Sequence, residues 1–585
     1  MISTNDIEKI FLYAKLHPEM KYNFKQYIVN NFESGLTSSG RQIYFSADQK
    51  NFLNIPKTPI AYWLSNNMLS LFEGNINIGK MCNVITGMTT ANNERYLRYW
   101  FEVNTEKIKF PKDHSKDFKW LPYQKGGDYR KWYGNNELVV NWKNDGYDIK
   151  HNFDENGKVR SGSYNEDYIL KEGITWSYIS STGFGVRLVE NGYHFDNKGS
   201  MIFTDEQNLN IYLGYLNSSL VKSILELYNP TMSFQPGDIM KIPFSMQFLN
   251  NNEINNLVTE NIEISRNEWN SFENSWDFKI NPLVELANKN NNNCLLKDIF
   301  ANYETFSDME YLKLKNNEEK LNNIINTTLN ISETLAEDNI TLRRAEKLRD
   351  ICLLISYAVG CMFGRYSLDT DGLIYAGGEF DERKYLKFKA DSDNIIPITD
   401  EVYFDDDIVQ RFKHFIELVF GKETLNENLD FVAETLGKKG TETSEESIRR
   451  YFVNDFFYDH VKMYQKRPIY WLLDSGKKNA FKALIYMHRY NDNLVPKARL
   501  DYLHRVQTTY EKLLSDVNYK LTMDLSMTDK KEAQKRQANL SAKLQEVKEY
   551  DEKIAHIANQ RISIDLDDGV KVNYEKFKEI LAKIK

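Results

Sequence analysis

Cysteine is scarce in this chain, with four thiols in 585 residues: Cys82, Cys294, Cys352 and Cys361. No two stand at CxxC spacing and no histidine accompanies them at finger spacing. A disulfide framework and a zinc finger are therefore excluded, and buried free thiols are expected. Long apolar runs are missing too. The most apolar stretch, Ile351 to Phe363, falls short of the ~18 residues a membrane span needs. Met1 to Asp6 lacks the basic-then-apolar order of a signal peptide, so a cytoplasmic location is expected. None of the twelve prolines are adjacent. That removes the Asn/Asp-Pro-Pro-aromatic segment with which adenine-methylating enzymes hold a flipped base. A glycine-rich cofactor turn is also absent: Gly183-Phe184-Gly185 begins one, but Leu188 takes the third glycine position and no helix is predicted to follow. Asp474 to Lys478 lacks the leading glycine of a P-loop and the Ser or Thr after its lysine. No Gly-x-Ser-x-Gly elbow occurs. One weak catalytic pattern remains, Asp371 with Glu382 and Lys384, in the order of a nuclease metal site. Most such matches are solvated surface charge.

What is present is a large folding chain. Its length predicts three or four domains, and 41% hydrophobic residues are enough for packed cores. The net charge of −8 argues against a protein that coats nucleic acid everywhere. It leaves room for one basic cleft on an acidic body, because affinity for DNA depends on local cations. The densest interleaving of cations, aromatics, amides and glycines lies between Lys119 and Arg187. Five of the nine tryptophans fall between Trp100 and Trp176, and Lys119 to Lys150 holds six Lys and Arg against four Asp and Glu. Such a stretch can be a small β domain with an aromatic core. It can also read DNA, with cations on phosphates, amides on base edges and rings against bases.

Along the chain, Ile7, Ile10, Phe11 and Tyr13 predict a short amphipathic helix. Ile60 to Phe72 predicts another, with Ile60, Trp63, Leu64, Met68, Leu69 and Phe72 inward. From Gly79 short strands are predicted. Leu138, Val140 and Trp142 alternate with polar positions, as do Ile174, Trp176 and Tyr178, so both read as half-buried strands. Asn191-Gly192 predicts a hairpin between Val186–Val189 and Tyr193–Phe195, since a type I′ turn needs positive φ twice. The leucine spacing over Gln207–Tyr228 predicts one helix. Residues 251–357 read as helical, with Asp350 to Arg365 as a buried core helix. Phe481 to Met487 reads as a strand. The spacing of Leu500 to Leu514 and of Leu540 to Ile557 predicts an antiparallel helical hairpin. The expected class is α+β and multidomain. Its divisions are a tail of an upstream domain (1–75), a mostly β recognition module (76–250), a helical connector (251–357), a mixed α/β domain (358–496) and a helical hairpin with tail (497–585).

Several blocks, taken in order, resemble one family. They are Gly87 to Arg98; Lys125-Gly126-Gly127 with Arg130 to Asn136; Glu172 to Trp176; and Asn229-Pro230-Thr231. Ser356 to Leu368, Arg467 to Trp471, Asp474 to Asn479 and Tyr486 to Tyr490 follow. Each block alone is weak, but the ordered set from about Ile60 onward resembles the C-terminal half of the PglX family, the adenine-specific DNA methyltransferases of BREX phage-defence systems. The resemblance implies a DNA target-recognition domain at about 76–250 and a helical C-terminal region. It also implies that the catalytic domain, with its S-adenosylmethionine, belongs upstream of Met1, so no cofactor is expected in this chain. The partners it implies are double-stranded DNA and an upstream methyltransferase half or other BREX components.

The resulting expectation is a DNA sequence-recognition portion. Lys125, Arg130, Lys131 and Arg187 are expected near phosphates or guanine edges. Asn135, Asn136 and Gln235 are expected at base edges, and Trp132, Trp176 and Phe184 in support of loop or base geometry. The rival is an interaction scaffold for other defence proteins with no direct DNA readout.

Overall fold

Among the described residues, thirteen strands, none longer than five residues, are distributed over four small sheets. The computed structural model describes residues 49–584 apart from 60, 62–63, 74–75, 112–116, 230, 291–292 and 332–338. The expected helix at 7–13, and Ile60, Trp63 and Pro230, lie outside the described residues. In chain order the strands are β1 (Ile76–Asn77), β2 (Asn83–Ile85), β3 (Leu97–Tyr99), β4 (Trp120–Gln124), β5 (Leu138–Asn141), β6 (Gly173–Trp176), β7 (Val186–Val189), β8 (His194–Phe195), β9 (Met201–Phe203), β10 (Pro243–Phe244), β11 (Ile395–Pro397), β12 (Tyr470–Asp474) and β13 (Lys482–Tyr486). They pair as β2-β9-β6-β7, β3-β5-β4-β8, β11-β13-β12 and β1-β10. All pairs are antiparallel except β4 with β8.

The long helices are α1 (Leu209–Leu216), α2 (Ser219–Tyr228), α3 (Asn252–Trp269), α4 (Pro282–Lys289), α5 (Leu296–Thr328), α6 (Lys347–Phe363), α7 (Ile408–Phe420), α8 (Leu425–Thr435), α9 (Ser444–Asn454), α10 (Phe456–Met463), α11 (His504–Lys520) and α12 (Met527–Gln560). The class is mixed α+β. The buried helix expected at 350–365 is α6, whose Leu354 to Phe363 are all buried. The expected hairpin is α11 with α12. No helix among the described residues is long and apolar enough to cross a membrane. The four cysteines are free.

Two large apolar cores organise these elements. One gathers Trp132, Ile174, Trp176, Phe184 and Val186 with α1, α2, α3 and the far half of α5, through Leu314, Leu321 and Ile325. The other runs from Trp100, Trp120 and Val139 through α6 and α7 to Tyr550 and Ile580. Helix α5 enters both, since Leu296, Ile299 and Phe300 belong to the second. Apolar packing is thus continuous across residue 250.

Several expectations of detail are corrected. The strands at 138–141 and 173–176 form, but neither is half-exposed. Val139 packs into the second core while Val140 joins Leu121, Tyr123 and Trp142 on the opposite face. In β6, Ile174 and Trp176 face the first core, and Thr175 Oγ1 donates to the Ser200 carbonyl at 3.0 Å behind them. Alternation marks a half-buried strand only when water covers one face. A turn also forms at Asn191-Gly192, but Gly192 alone takes positive φ, at 106°, so it is not the expected type I′ turn. It makes no hairpin: β7 pairs with β6, while β8 leaves to run beside β4 in the other sheet. Asn191 Oδ1 instead accepts from the Glu172 amide at 2.9 Å.

The helix expected from 207 to 228 breaks at Asn217-Ser218. Ser218 caps α2 by accepting from the Val221 amide at 3.3 Å. Asn217 turns to the sheet, accepting from Val186 N at 2.9 Å and donating to Val186 O at 3.0 Å. Asn217→Leu keeps the branched shape and strands the buried Val186 N–H. A loss of about 1–3 kcal/mol in chemical denaturation is expected. Of the helix expected at 60–72, the described residues form only Asn66–Ser70, capped by Ser65.

Candidate nucleic-acid interface

The Lys125–Asn136 segment leaves β4 and returns to β5 through a backbone that glycine makes possible. Gly126, Gly127 and Gly134 have φ of 91°, 104° and 123°. A Cβ on Gly134 would meet Arg130 Nε at 2.5 Å and the Trp269 ring at 2.8 Å, so only glycine fits there. Trp132 and Asn135 adopt positive φ without that licence, at 68° and 61°. For Trp132 the surroundings over-determine the strain. Its amide donates to Val186 O at 2.9 Å and its carbonyl accepts from Leu188 N at 2.8 Å, so it sits beside β7 as an extra rung.

Below the loop, the side chains expected to meet DNA are engaged inward. Arg130 is buried, donates from Nε to Tyr133 O at 2.7 Å, pairs with Glu268 of α3 and lies 5.0 Å over the Trp269 ring. Arg343 pairs with the same Glu268. Lys131 is fully buried and meets Glu318 of α5 at 2.9 Å, and Trp132 Nε1 donates to the other Glu318 oxygen at 2.7 Å. Arg187 is fully buried and donates to Gly126 O at 3.1 Å and Ser177 Oγ at 3.2 Å. Burial first, then the neighbouring Arg130 charge, pulls its guanidinium down to about 9. Asn136 Oδ1 accepts from Gln124 Nε2 at 2.6 Å in a buried amide pair. Trp176 Nε1 donates to Phe234 O at 2.9 Å, and the Phe184 ring packs 5.2 Å from that of Phe234. Seven of the ten expected contact residues (Arg130, Lys131, Trp132, Asn136, Trp176, Phe184 and Arg187) therefore build the loop and offer no surface to a duplex. For Arg130 and Lys131 the cause is a distant carboxylate. A cation or amide in a glycine-rich loop faces inward wherever a distant carboxylate or carbonyl waits, and the partners Glu268 and Glu318 lie more than a hundred residues away.

Lys125, Asn135 and Gln235 reach the surface. Lys125 Nζ bonds Asp196 at 2.8 Å and Asn93 Oδ1 at 3.1 Å. Asn135 Nδ2 closes the loop tip by donating to Gly126 O and Asp128 O at 3.1 and 2.8 Å. Gln235 is exposed at the start of a short turn, Pro236–Ile239. The structure ties three neighbouring segments to this tip. Asp196 also accepts from Tyr123 OH at 2.8 Å, and its amide donates to Gln124 O at 2.8 Å. Exposed Lys198 lies 3.8 Å over the Tyr178 ring, while Tyr178 O accepts from Phe234 N at 2.8 Å. Ser180 N donates to Met232 O at 2.9 Å, and Ile179 and Met232 are both exposed. The result is a continuous surface of two lysines, amides, hydroxyls and half-exposed rings. Asp196, Lys198 and Tyr178 carried no sequence signal, because each lies outside the dense stretch or reads as ordinary strand flank.

Other sequence candidates resolve into structure. Asp371, Glu382 and Lys384 are exposed, and no trio of possible metal ligands includes them. Among the described residues the one such trio is Asp391, Asp393 and Asp406, within 4.8 Å. It is already compensated: Tyr502 OH donates to Asp393 and Asp406 at 3.0 and 2.7 Å, Lys497 meets Asp393 at 3.2 Å, and Arg411 stands 4.0 Å from Asp391. The turn at Asp474–Asn479 is filled by a carboxylate of its own chain. Glu546 of α12 accepts from Ser475 Oγ, Lys478 N and Ala480 N at 2.8, 2.7 and 3.1 Å. Gly183-Phe184-Gly185 runs into strand β7 with Phe184 buried, so no helix N-terminus is offered and the segment does not fit S-adenosylmethionine.

No protein-family model matches the chain. Over about nine-tenths of its length, however, it is similar to proteins described as adenine-specific methyltransferases. It is 42% identical over 546 residues to adenine-specific methyltransferase PglX of Lacticaseibacillus casei (strain Zhang), covering 91% of this chain and 45% of that protein. It is 38% identical over 573 residues to adenine-specific methyltransferase BrxX of Escherichia coli O9:H4 (strain HS), covering 92% of this chain and 46% of the relative. The chain is thus similar to PglX and BrxX, and it spans under half the length of these curated relatives.

Proposed function

We propose that this chain is the DNA sequence-recognition portion of a BREX-type, site-specific N6-adenine DNA methyltransferase. Methyl transfer, and with it phage defence through marking of self DNA, then needs a catalytic half that brings the S-adenosylmethionine site. The observation that carries this reading is the loop-built surface around Lys125, Asn135, Lys198 and Gln235, held rigid from beneath by paired carboxylates. Sites that read DNA need side chains fixed in register, and phosphate-binding cations at their rim. Lys125 and Lys198 serve the phosphates, Gln235 and the Asn135 tip face base edges, and the buried Arg130, Lys131 and Arg187 set the loop's shape. Residues 76–250 are the recognition domain in this reading and the helical remainder its support.

Binding of the full chain to duplex DNA, measured by fluorescence anisotropy across a salt series, tests the proposal. Lys125→Ala with Lys198→Ala should weaken binding on all sequences and flatten the salt slope by about two phosphate contacts. Gln235→Ala should cost about 1–3 kcal/mol on the preferred sequence alone. An unchanged salt slope would sink the placement. No DNA binding above background, with retained binding to other defence proteins, would favour the scaffold reading.

A further inference from the structure

A cluster of buried polar side chains lies where the chain around Trp100 meets the C-terminal core. Arg365, at the end of α6, is fully buried and donates from Nη1 to Tyr486 OH at 3.0 Å and from Nε to Tyr366 OH at 3.2 Å. Its guanidinium stands 5.2 Å over the Trp100 ring. Glu273, also buried, follows α3 and accepts from Tyr464 OH at 3.1 Å. Among the described residues, no carboxylate pairs directly with Arg365. Five atoms around this pair are buried with no hydrogen-bond partner: Arg365 Nη2, Glu273 Oε1, His460 Nδ1, His488 Nδ1 and Tyr470 OH. They lie along one aromatic chain. Ring centroids are 4.7 Å apart for His460 and Tyr470, 5.4 Å for Tyr470 and Tyr486, and 5.0 Å for Tyr486 and His488.

The backbone fixes the tautomers. His460 Nε2 accepts from the amides of Ile469 and Tyr470, both at 3.0 Å, so its proton sits on Nδ1 and that atom is an unused donor. His488 Nε2 faces the Val103 carbonyl at 3.2 Å, so Nε2 carries the proton and Nδ1 is an unused acceptor. The cluster therefore holds unused donors and unused acceptors along one chain of rings, with one guanidinium and one carboxyl group. A bound ion would upset that balance, and an apolar molecule would satisfy none of the five. Buried polar atoms in native proteins are satisfied, and water is the small molecule that both gives and takes.

We infer that Arg365, Glu273, Tyr470, His460 and His488 form an internal hydration site, in which trapped water bridges the charge pair and joins the chain at Trp100–Val103 to the C-terminal core. A crystal structure of the full chain at high resolution tests it. Ordered water within hydrogen-bond distance of at least three of the five atoms is expected. Nitrogen NMR of the histidines should show an Nδ1–H tautomer for His460 and Nε2–H for His488. A direct Arg365–Glu273 ion pair, water on fewer than three of the atoms, density for an ion or organic molecule, or either histidine in the opposite tautomer would overturn it.

Discussion

Glu318→Ala is expected to destabilise the protein by about 3–5 kcal/mol, because it breaks the buried ion pair with the Lys131 ammonium. Lys131 has no side-chain exposure and Glu318 has 5%. The same carboxylate holds Trp132 Nε1 at 2.7 Å, so the substitution also removes the acceptor from a buried indole. Glu318→Gln separates the two effects, since its amide oxygen can still accept from Trp132 while the charge is gone. Lys131→Met combined with Glu318→Gln removes both charges and should recover most of the loss, because a buried pair is worth little net once neither charge remains. A double-mutant cycle in urea reads the coupling. A coupling under about 1 kcal/mol would show that α5 does not anchor the loop. The functional reading adds a second readout. DNA affinity should fall in Glu318→Gln even where the core remains folded, because the Lys125–Asn136 loop loses its fastening to α5.

That loop shows what the sequence made legible and what it hid. The density of its glycines, tryptophans and cations was visible in the sequence, and the structure adds that Gly126, Gly127 and Gly134 take positive φ. The direction each side chain faces was hidden, since it is decided by Glu268 and Glu318 on helices α3 and α5. Sequence pattern resolves periodicity along an element and cannot see the partner across the core. The same limit governs Asn191-Gly192. That a turn falls there is local and was readable; whether its two strands share a sheet depends on Tyr123 and Gln124 of β4 taking up β8. It governs α1 and α2 as well, where the leucine spacing runs unbroken and the interruption comes from Asn217 reaching Val186 of β7. Helices whose burial is nearly complete, such as α6, or whose partner is the next helix, such as α11 and α12, needed no distant information and were legible.

Glu273→Gln is expected to change how stability responds to pH, by about 3 kcal/mol between pH 7 and pH 4.5. Burial pushes the Glu273 carboxyl up from 4.5 to about 7, against the opposing pull of the Ser356, Tyr464 and Tyr366 hydroxyls and the Arg365 charge. The folded state therefore keeps a proton that the unfolded chain gives up in that window. This contribution is fully present below about 4.5 and is lost as pH rises through 7, at about 1.4 kcal/mol per unit. The neighbouring histidines act in the opposite sense. Burial first, then the charge of Arg365, hold His460 and His488 down at about 3, so both stay neutral when folded. Their contribution is present above 6.5 and is lost as pH falls. Two histidines outweigh one carboxyl, and these three groups together make the wild-type chain lose stability on acidification below 6.5. The carboxyl appears in the difference between wild type and Glu273→Gln, in which the histidine contributions cancel to first order. At pH 8 the glutamine variant should match or exceed wild type, because it buries no negative charge. By pH 4.5 that advantage should be gone, since wild-type Glu273 is then neutral as well. Denaturation midpoints across this range measure the difference directly. Parallel profiles would mean that Glu273 keeps an ordinary carboxylate pKa, and that the charge pair with Arg365 is closed by a stronger contact than the structure contains.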